Sequence, residues 1–176
     1  MNNVLVHVCC AHCAAYTVDY WRQQGYEVGS LWYNPNIHPY TEHRQRLESM
    51  ESLASEKSLP LIITKGYDMT EYFRRVAGHE EQRCQYCFDL RLSKTAETAS
   101  DNSFGAFTTT LLISPHQQHE LIREIGNKIA EAKGIEFLYA DIRKRYSDSR
   151  HLTKPLNLYR QQYCGCIYSE WERYAG

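Results

Sequence analysis

Five times along this chain a short apolar run gives way to a longer amphipathic one, and that alternation is the strongest constraint on its fold. The candidate strands are Val4–Val8, Val28–Tyr33, Leu59–Thr64, Phe104–Thr110 and Glu136–Ala140. Candidate helices separate them: Ala14–Gln24 closed by Gly25, a polar segment from Thr41 to Lys57, Asp68 to Ala77, and Phe88–Ala99. Asp68-Met69-Thr70-Glu71 has the pattern of a capping box, with Glu71 placed to reach back to the cap amide. Ser114-Pro115 supplies an N-cap with proline at the first helical position, ahead of a Leu121, Ile122, Ile125 and Ile129 stripe stopped by Gly134. Asp141 to Gly176 is polar and turn-rich, with a short helix near its end. The pattern predicts an α/β fold: a five-stranded, mainly parallel sheet with helices on both faces, plus a cysteine-bearing C-terminal extension. At 176 residues, 43% hydrophobic and without repeats or Gly/Ser linkers, residues 1–176 are expected to form a single domain with its own core.

In parallel sheets, ligands bind beyond the carboxyl ends of the strands. The unusual residues of this chain lie there. Cys9, Cys10 and Cys13 follow the first strand, and Asn34-Pro35-Asn36-Ile37-His38-Pro39 follows the second. Gly66-Tyr67-Asp68, Ser114-Pro115-His116 and Asp141-Ile142-Arg143-Lys144-Arg145 follow the third, fourth and fifth.

Seven cysteines fall into three groups: Cys9, Cys10 and Cys13; Cys84 and Cys87; Cys164 and Cys166. The N-terminus has no basic start and too short an apolar run for a signal peptide, and no stretch approaches the ~20 apolar residues of a membrane span. The chain is therefore expected to be cytoplasmic, where grouped thiols point to metal or redox chemistry rather than to stapling. Cys9, Cys10, Cys84 and Cys87 could bring four thiolates to one centre, and a helix starting after Cys13 would aim its positive end at the first pair. Structural zinc is the plain alternative. A vicinal Cys-Cys makes an awkward zinc hook, however, and three thiols would be left without a task. Cys164-Gly165-Cys166 suits either a small, strained and readily reduced disulfide or a second metal bound together with Cys13. His7, His12, His38 and His116 are secondary candidates, as are Tyr159 and Tyr163 beside the last cysteine group.

A net charge of −1 gives no overall field that would attract nucleic acid, so any RNA contact needs a local patch. One is present. Arg143, Lys144, Arg145, Arg150, Lys154 and Arg160 stand against the single acid Asp148, with Tyr146 and Tyr159 interleaved. Such a mixture suits a phosphate backbone and an unstacked base, although a solvated face has the same composition.

With these residues in view, the chain resembles the cobalamin-independent epoxyqueuosine reductases of the QueH family over nearly its whole length. The resemblance rests on Leu5-Val6-His7-Val8-Cys9-Cys10-Ala11-His12-Cys13, Tyr33-Asn34-Pro35-Asn36-Ile37-His38-Pro39 and Arg83-Cys84-Gln85-Tyr86-Cys87. Arg91-Leu92, Phe107 to Pro115, and Tyr159 to Ser169 complete it. His12 and Gln117-Gln118 are modest departures from the family pattern.

The resemblance implies a Rossmann-like fold of the PP-loop (HUP-like) kind and reduction of epoxyqueuosine to queuosine in tRNA, the last step of queuosine formation. It also implies a [4Fe–4S] cluster held by Cys9, Cys10, Cys84 and Cys87, an adjacent metal such as a mononuclear iron, and Cys164 with Cys166 as a redox-active pair. Cys13, Asp68 and His116 are further catalytic candidates, Arg143, Lys144, Arg145 and Arg160 are expected RNA contacts, and the electron donor is unspecified. ATP-dependent tRNA thiolation, which shares the expected fold, would need a glycine-rich phosphate loop where Cys9-Cys10-Ala11-His12-Cys13 stands. A zinc-stabilised RNA-binding module is the non-enzymatic alternative.

Overall fold

The structure is a computed structural model and describes residues 2–176. Its sheet consists of β1 (Asn3–His7), β2 (Glu27–Trp32), β3 (Leu61–Ile63), β4 (Ala106–Thr109) and β5 (Glu136–Phe137), in the order β3-β2-β1-β4-β5. Every pairing is parallel. The helices are α1 (Ala11–Gln23), α2 (Tyr40–Glu56), α3 (Met69–Val76), α4 (Arg83–Asp101), α5 (His119–Lys133), α6 (Tyr146–Thr153) and α7 (Ile167–Tyr174).

β1 lies at the centre and is apolar on both faces, as a strand covered on both sides must be. Val4 and Val6 pack with Ala14 and Val18 of α1 and with Met50 and Leu53 of α2. Leu5 points the other way, into a core with Leu92 and Ala96 of α4 and Ile122 and Ile125 of α5. The chain builds outward from β1 to β3, then returns to β4 on the other side of β1. The crevice between the ends of β1 and β4 is therefore the topological switch point, where open α/β sheets bind ligands. Cys9 follows one of these strands and Thr110 the other.

The expected strands are all present, with shorter β3, β4 and β5. Five helical details differ, the first being α6, which lies in a stretch expected to be polar and turn-rich. α1 starts at Ala11, because Cys10 is its N-cap and the Cys10 Sγ accepts the Cys13 amide hydrogen at 3.3 Å. α4 starts at Arg83 instead of Phe88, so Cys84 and Cys87 share one face of its first turn. Ser114-Pro115 does not open α5; a 3-10 turn over Thr110–Ile113 ends at Ser114, and the helix begins at His119. At α3, Asp68 caps the Thr70 amide at 3.2 Å, whereas Glu71 pairs with Arg75 at 2.9 Å and not with the cap amide.

His43 of α2 is buried and accepts the Trp32 indole N–H at Nε2, 3.1 Å away, which leaves its own proton on Nδ1. Burial, then the Arg46 charge, lower its pKa from 6.5 to about 4. Below pH 6.5 the unfolded chain takes up a proton that the native ring refuses, so stability is full above that pH and declines toward pH 4. Unfolding midpoints in urea should fall from pH 7.5 to pH 5, and His43→Phe should flatten that slope. An unchanged slope would contradict the assignment. A residual slope is expected from His7, which burial lowers to about 4 in the same way.

Candidate metal centre

The turn after β1 brings three thiols together. The sulfur atoms of Cys9, Cys10 and Cys13 lie within 4.8 Å of one another. That spacing approaches the ligand edge of a tetrahedral site, about 3.8 Å for ~2.3 Å metal–sulfur bonds. From the end of β4, Thr110 Oγ1 lies 3.4 Å from the Cys9 sulfur. The Cys10 and Cys13 thiols donate to Cys9, and with Thr110 they hold its pKa well below the ordinary thiol value despite burial. Cys10 is helped by Cys13, yet Cys9 and burial outweigh this and push it up to about 12. Cys13 is raised by donating to both neighbours and by burial. One thiolate flanked by two proton-bearing thiols is a donor set ready to exchange its protons for a metal ion.

The other four cysteines meet around a small void of ≈ 20 Å³ lined by Cys84, Cys87, Cys164 and Cys166. Cys166 is the N-cap of α7; burial opposes its ionisation, but the Ser169 hydroxyl and amide prevail and lower its pKa. Burial pushes Cys87 up to about 12, and burial followed by the nearby Cys164 raises Cys84. Cys164 is exposed, with Gln117 Nε2 at 3.4 Å from its sulfur. All seven cysteines are free thiols.

Arg91 connects the two sets. It is buried on α4, donates from Nε to the Cys87 carbonyl at 3.2 Å, and stays charged against burial because Cys87, Cys9 and Cys164 surround it. A buried guanidinium needs a negative partner, and of the nearby sulfurs Cys9 is the one held toward its thiolate.

The fragment carrying Cys164 and Cys166 is clamped from α2 and the turn before it. Buried Arg46 donates to the Tyr163 carbonyl at 2.9 Å and the Cys164 carbonyl at 2.8 Å while pairing with Glu42 at 2.7 Å. The His38 amide donates to the Gly165 carbonyl at 2.8 Å, and His38 Nδ1 accepts the Ile167 amide hydrogen at 3.2 Å. Gly165 has φ +152, and a Cβ there would stand 3.2 Å from Ile37 Cγ1. Glycine suits both the backbone angle and the close approach.

Cys9, Cys13, Cys84, Cys164 and Cys166 all open onto one cleft of ≈ 660 Å³. Arg46, Arg83, Arg91, Arg160 and Arg173 line it against the single acid Glu172, so it favours an anionic visitor. Buried polar atoms are nearly always satisfied. Yet Asn36 Oδ1, Tyr72 OH and Arg83 Nε have no partner, and all three residues line the sulfur void. Soft, buried thiols together with orphaned polar atoms fit a metal-bound group.

The expected cluster ligands are not gathered into one tight set. Cys13 joins Cys9 and Cys10, while Cys84 and Cys87 lie beside Cys164 and Cys166. His116 lines the cleft; Asp68 does not, and its carboxylate, lowered mainly by the Thr70 hydroxyl, caps α3 at the surface. His12 turns away from the thiols to bond Thr153 Oγ1 at 2.5 Å and the Tyr159 carbonyl at 3.1 Å. Arg143 pairs with Asp141 at 2.5 Å and Arg145 with Asp148 at 3.0 Å, whereas Arg160 faces the cleft. Tyr72 and Arg46 gave no sequence signal, since each acts through long-range packing, and Arg91 stood out only within the Arg91-Leu92 motif of the family resemblance.

The sequence model of one family, described as epoxyqueuosine reductase QueH, matches residues 4–172. This chain belongs to the epoxyqueuosine reductase QueH family. It is 52% identical over 172 residues to "Epoxyqueuosine reductase QueH" of Dehalococcoides mccartyi, covering 98% of this chain and 94% of that one. Against the protein of the same name from Thermotoga maritima the identity is 34% over 183 residues, covering 98% and 93%. With that of Streptococcus pyogenes it is 34% over 179 residues, covering 95% and 70%. The family expected from the cysteine and Asn-Pro-Asn motifs is thus borne out, and the chain is an oxidoreductase of that family. Among solved structures, a predicted subunit of a tRNA methyltransferase from Methanocaldococcus jannaschii superposes with a TM-score of 0.56 at 13% identity, covering 86% of this chain and 76% of that one. That likeness agrees with the expected Rossmann-like α/β fold. Among the described residues, no helix is long and apolar enough to cross a membrane.

Proposed function

We propose that this protein reduces epoxyqueuosine to queuosine in tRNA. The supporting observation is that three sequence-distant thiol groups converge on one arginine-lined cleft at the switch point of the sheet. Removing the epoxide oxygen as water takes two electrons and two protons, and oxidation of two thiols to a disulfide releases two of each. Cys164 and Cys166 are assigned that role. Cys164 is exposed at the cleft and Cys166 is held toward its thiolate, so the pair meets both the substrate and the requirement for a nucleophilic sulfur. An external electron donor, its identity open, would then reduce the disulfide and reset the pair. His116, the histidine of the cleft lining, is placed to move a proton to the departing oxygen.

Cys9, Cys10, Cys84 and Cys87 are proposed to hold a [4Fe–4S] cluster, with Cys13 toward an adjacent mononuclear iron. When bound, these groups supply electrons and a Lewis acid for the epoxide oxygen. The chain's own contribution is to position them: α1 and α4 present the thiols, Arg91 supplies countercharge, and the Arg46 clamp holds the redox pair. Arg160 is proposed as a main RNA contact and Lys144 as a peripheral one; Arg143 and Arg145 would first have to release Asp141 and Asp148.

Anaerobic purification with iron, sulfide and zinc quantified, followed by incubation with epoxyqueuosine-containing tRNA, tests this function. Iron with acid-labile sulfide and appearance of queuosine are expected. Zinc without sulfide, and no conversion, would identify the zinc-stabilised RNA-binding module instead. Cys164→Ser should stop turnover after residual reducing equivalents are consumed; full multiple turnover in that variant would overturn the thiol relay.

A further inference from the structure

The polar C-terminal region builds a second concave surface that the reductase chemistry does not use. Between α6, the turn at Lys154–Leu156 and His12 lies a groove of ≈ 480 Å³, within the ~300–1,000 Å³ range of small-molecule sites. Arg150, Lys154 and Arg160 line it, and no carboxylate does. For a chain of net charge −1, three cations in one acid-free groove are a local concentration, not a reflection of composition. Arg143 and Arg145, nearby in sequence, are already paired with Asp141 and Asp148; the groove cations have no carboxylate within ion-pair distance among the described residues.

The groove runs into the thiol cleft, sharing Tyr146 and Arg160 with it. Tyr146 stands at the junction. On the cleft side it meets His116 edge-on, with ring centroids 6.1 Å apart, and on the groove side the Arg150 guanidinium lies 5.8 Å from its centroid. A phenol ring beside a planar guanidinium is a surface on which an unstacked base can lie. The platform is firmly held: Tyr16 N–H donates to Ser149 Oγ at 3.0 Å, Ser149 in turn bonds the His12 carbonyl, and the His12 ring bonds Thr153.

We propose that this groove binds the RNA nucleotide adjacent to the modified one, with Tyr146 stacking its base and Arg150, Lys154 and Arg160 holding its phosphates. The inference rests on the tRNA substrate proposed above and adds where the strand leaves the active cleft. It moves the main RNA determinants from Arg143–Arg145 to α6 and the turn after it.

The test is fluorescence anisotropy with a labelled anticodon stem–loop RNA and the metal-loaded full chain, titrated at several salt concentrations. In R150E/K154E the Kd should rise at least tenfold, and the slope of log affinity against log salt should flatten by about 1.5, roughly 0.7 per lost phosphate contact. Tyr146→Ala should weaken binding without changing that slope, because stacking releases no counterions. R143E/K144E should shift Kd by less than threefold. Circular dichroism melts and iron content report whether each variant is folded and loaded; should the charge reversal unfold the chain, R150Q/K154Q carries the same expectation at smaller amplitude. Parental Kd and slope in R150E/K154E, or a larger loss in R143E/K144E, overturns the groove while leaving the reductase reading intact. Failure of the unaltered protein to bind the RNA overturns both.

Discussion

Cys84→Ser is expected to yield a folded protein that lacks the absorbance of the proposed iron–sulfur cluster and whose reductase activity is reduced at least 100-fold. The fold should survive because Cys84 is only half-buried, at the first turn of α4, and serine is nearly isosteric. The core beneath it is built by Phe88, Leu92 and Ala96, which the change leaves alone. What is lost is a soft thiolate, for which a hydroxyl is no substitute as an iron ligand. Supporting residues around metal sites already cost about 10–100-fold when removed, so the loss of a ligand should exceed that. Cys13→Ser supplies the contrast: acid-labile sulfide and the visible bands should remain, while total iron falls. Full iron and sulfide in Cys84→Ser would reject the ligand assignment, and loss of the bands in Cys13→Ser would move Cys13 into the cluster.

The α/β architecture was legible because short apolar runs alternate with longer helix-favouring segments, although β5 is only Glu136–Phe137 and α2 buries Glu42, His43 and Arg46 beside Met50 and Leu53. Burial on both faces makes Val4, Leu5 and Val6 of β1 an unbroken apolar run, and the stripe of α5 predicts its contact with the opposite core. Positions after strands then located the cleft through topology alone. What escaped is where polar contacts replace apolar ones. α6 has no stripe to find: its buried residues are Ser149 and Thr153, which pack through hydroxyl bonds to α1. The start of α4 was hidden because its first turn buries thiols, which carry no periodic hydrophobic signal. Ser114-Pro115 looked like a helix start, but the preceding Thr110–Ile113 turn used Ser114 as its end. The grouping of the thiols also depends on tertiary contacts. Cys13 joins Cys9 and Cys10 only because Cys10 caps α1, a local hydrogen bond that spacing alone does not specify.

Arg46→Met should lower unfolding stability by about 3–5 kcal/mol, the cost of breaking a buried ion pair by removing one partner. The Arg46 and Glu42 side chains are 1% and 7% exposed, so solvent does little to replace the lost charge. Glu42 would retain only its bond from the Tyr159 hydroxyl. The Tyr163 and Cys164 carbonyls would lose their donors, and the Tyr163 ring would lose the guanidinium 5.6 Å from its centroid. Lysine cannot restore this arrangement, because three acceptors in different directions need a planar fork. The consequence for function is separate from the consequence for stability. Without Arg46, the segment bearing Cys164 and Cys166 keeps its bonds to His38 but loses those to α2, so Cys164 no longer has a set position at the cleft. E42Q/R46M divides the two effects. A neutral amide at position 42 removes the stranded charge, and the unfolding midpoint in urea should recover most of its loss. The carbonyls of Tyr163 and Cys164 still lack their donor, so reductase turnover should stay low. Recovery of both would show that Arg46 serves only the ion pair; parental stability in Arg46→Met would mean that the buried pair contributes nothing net to the fold.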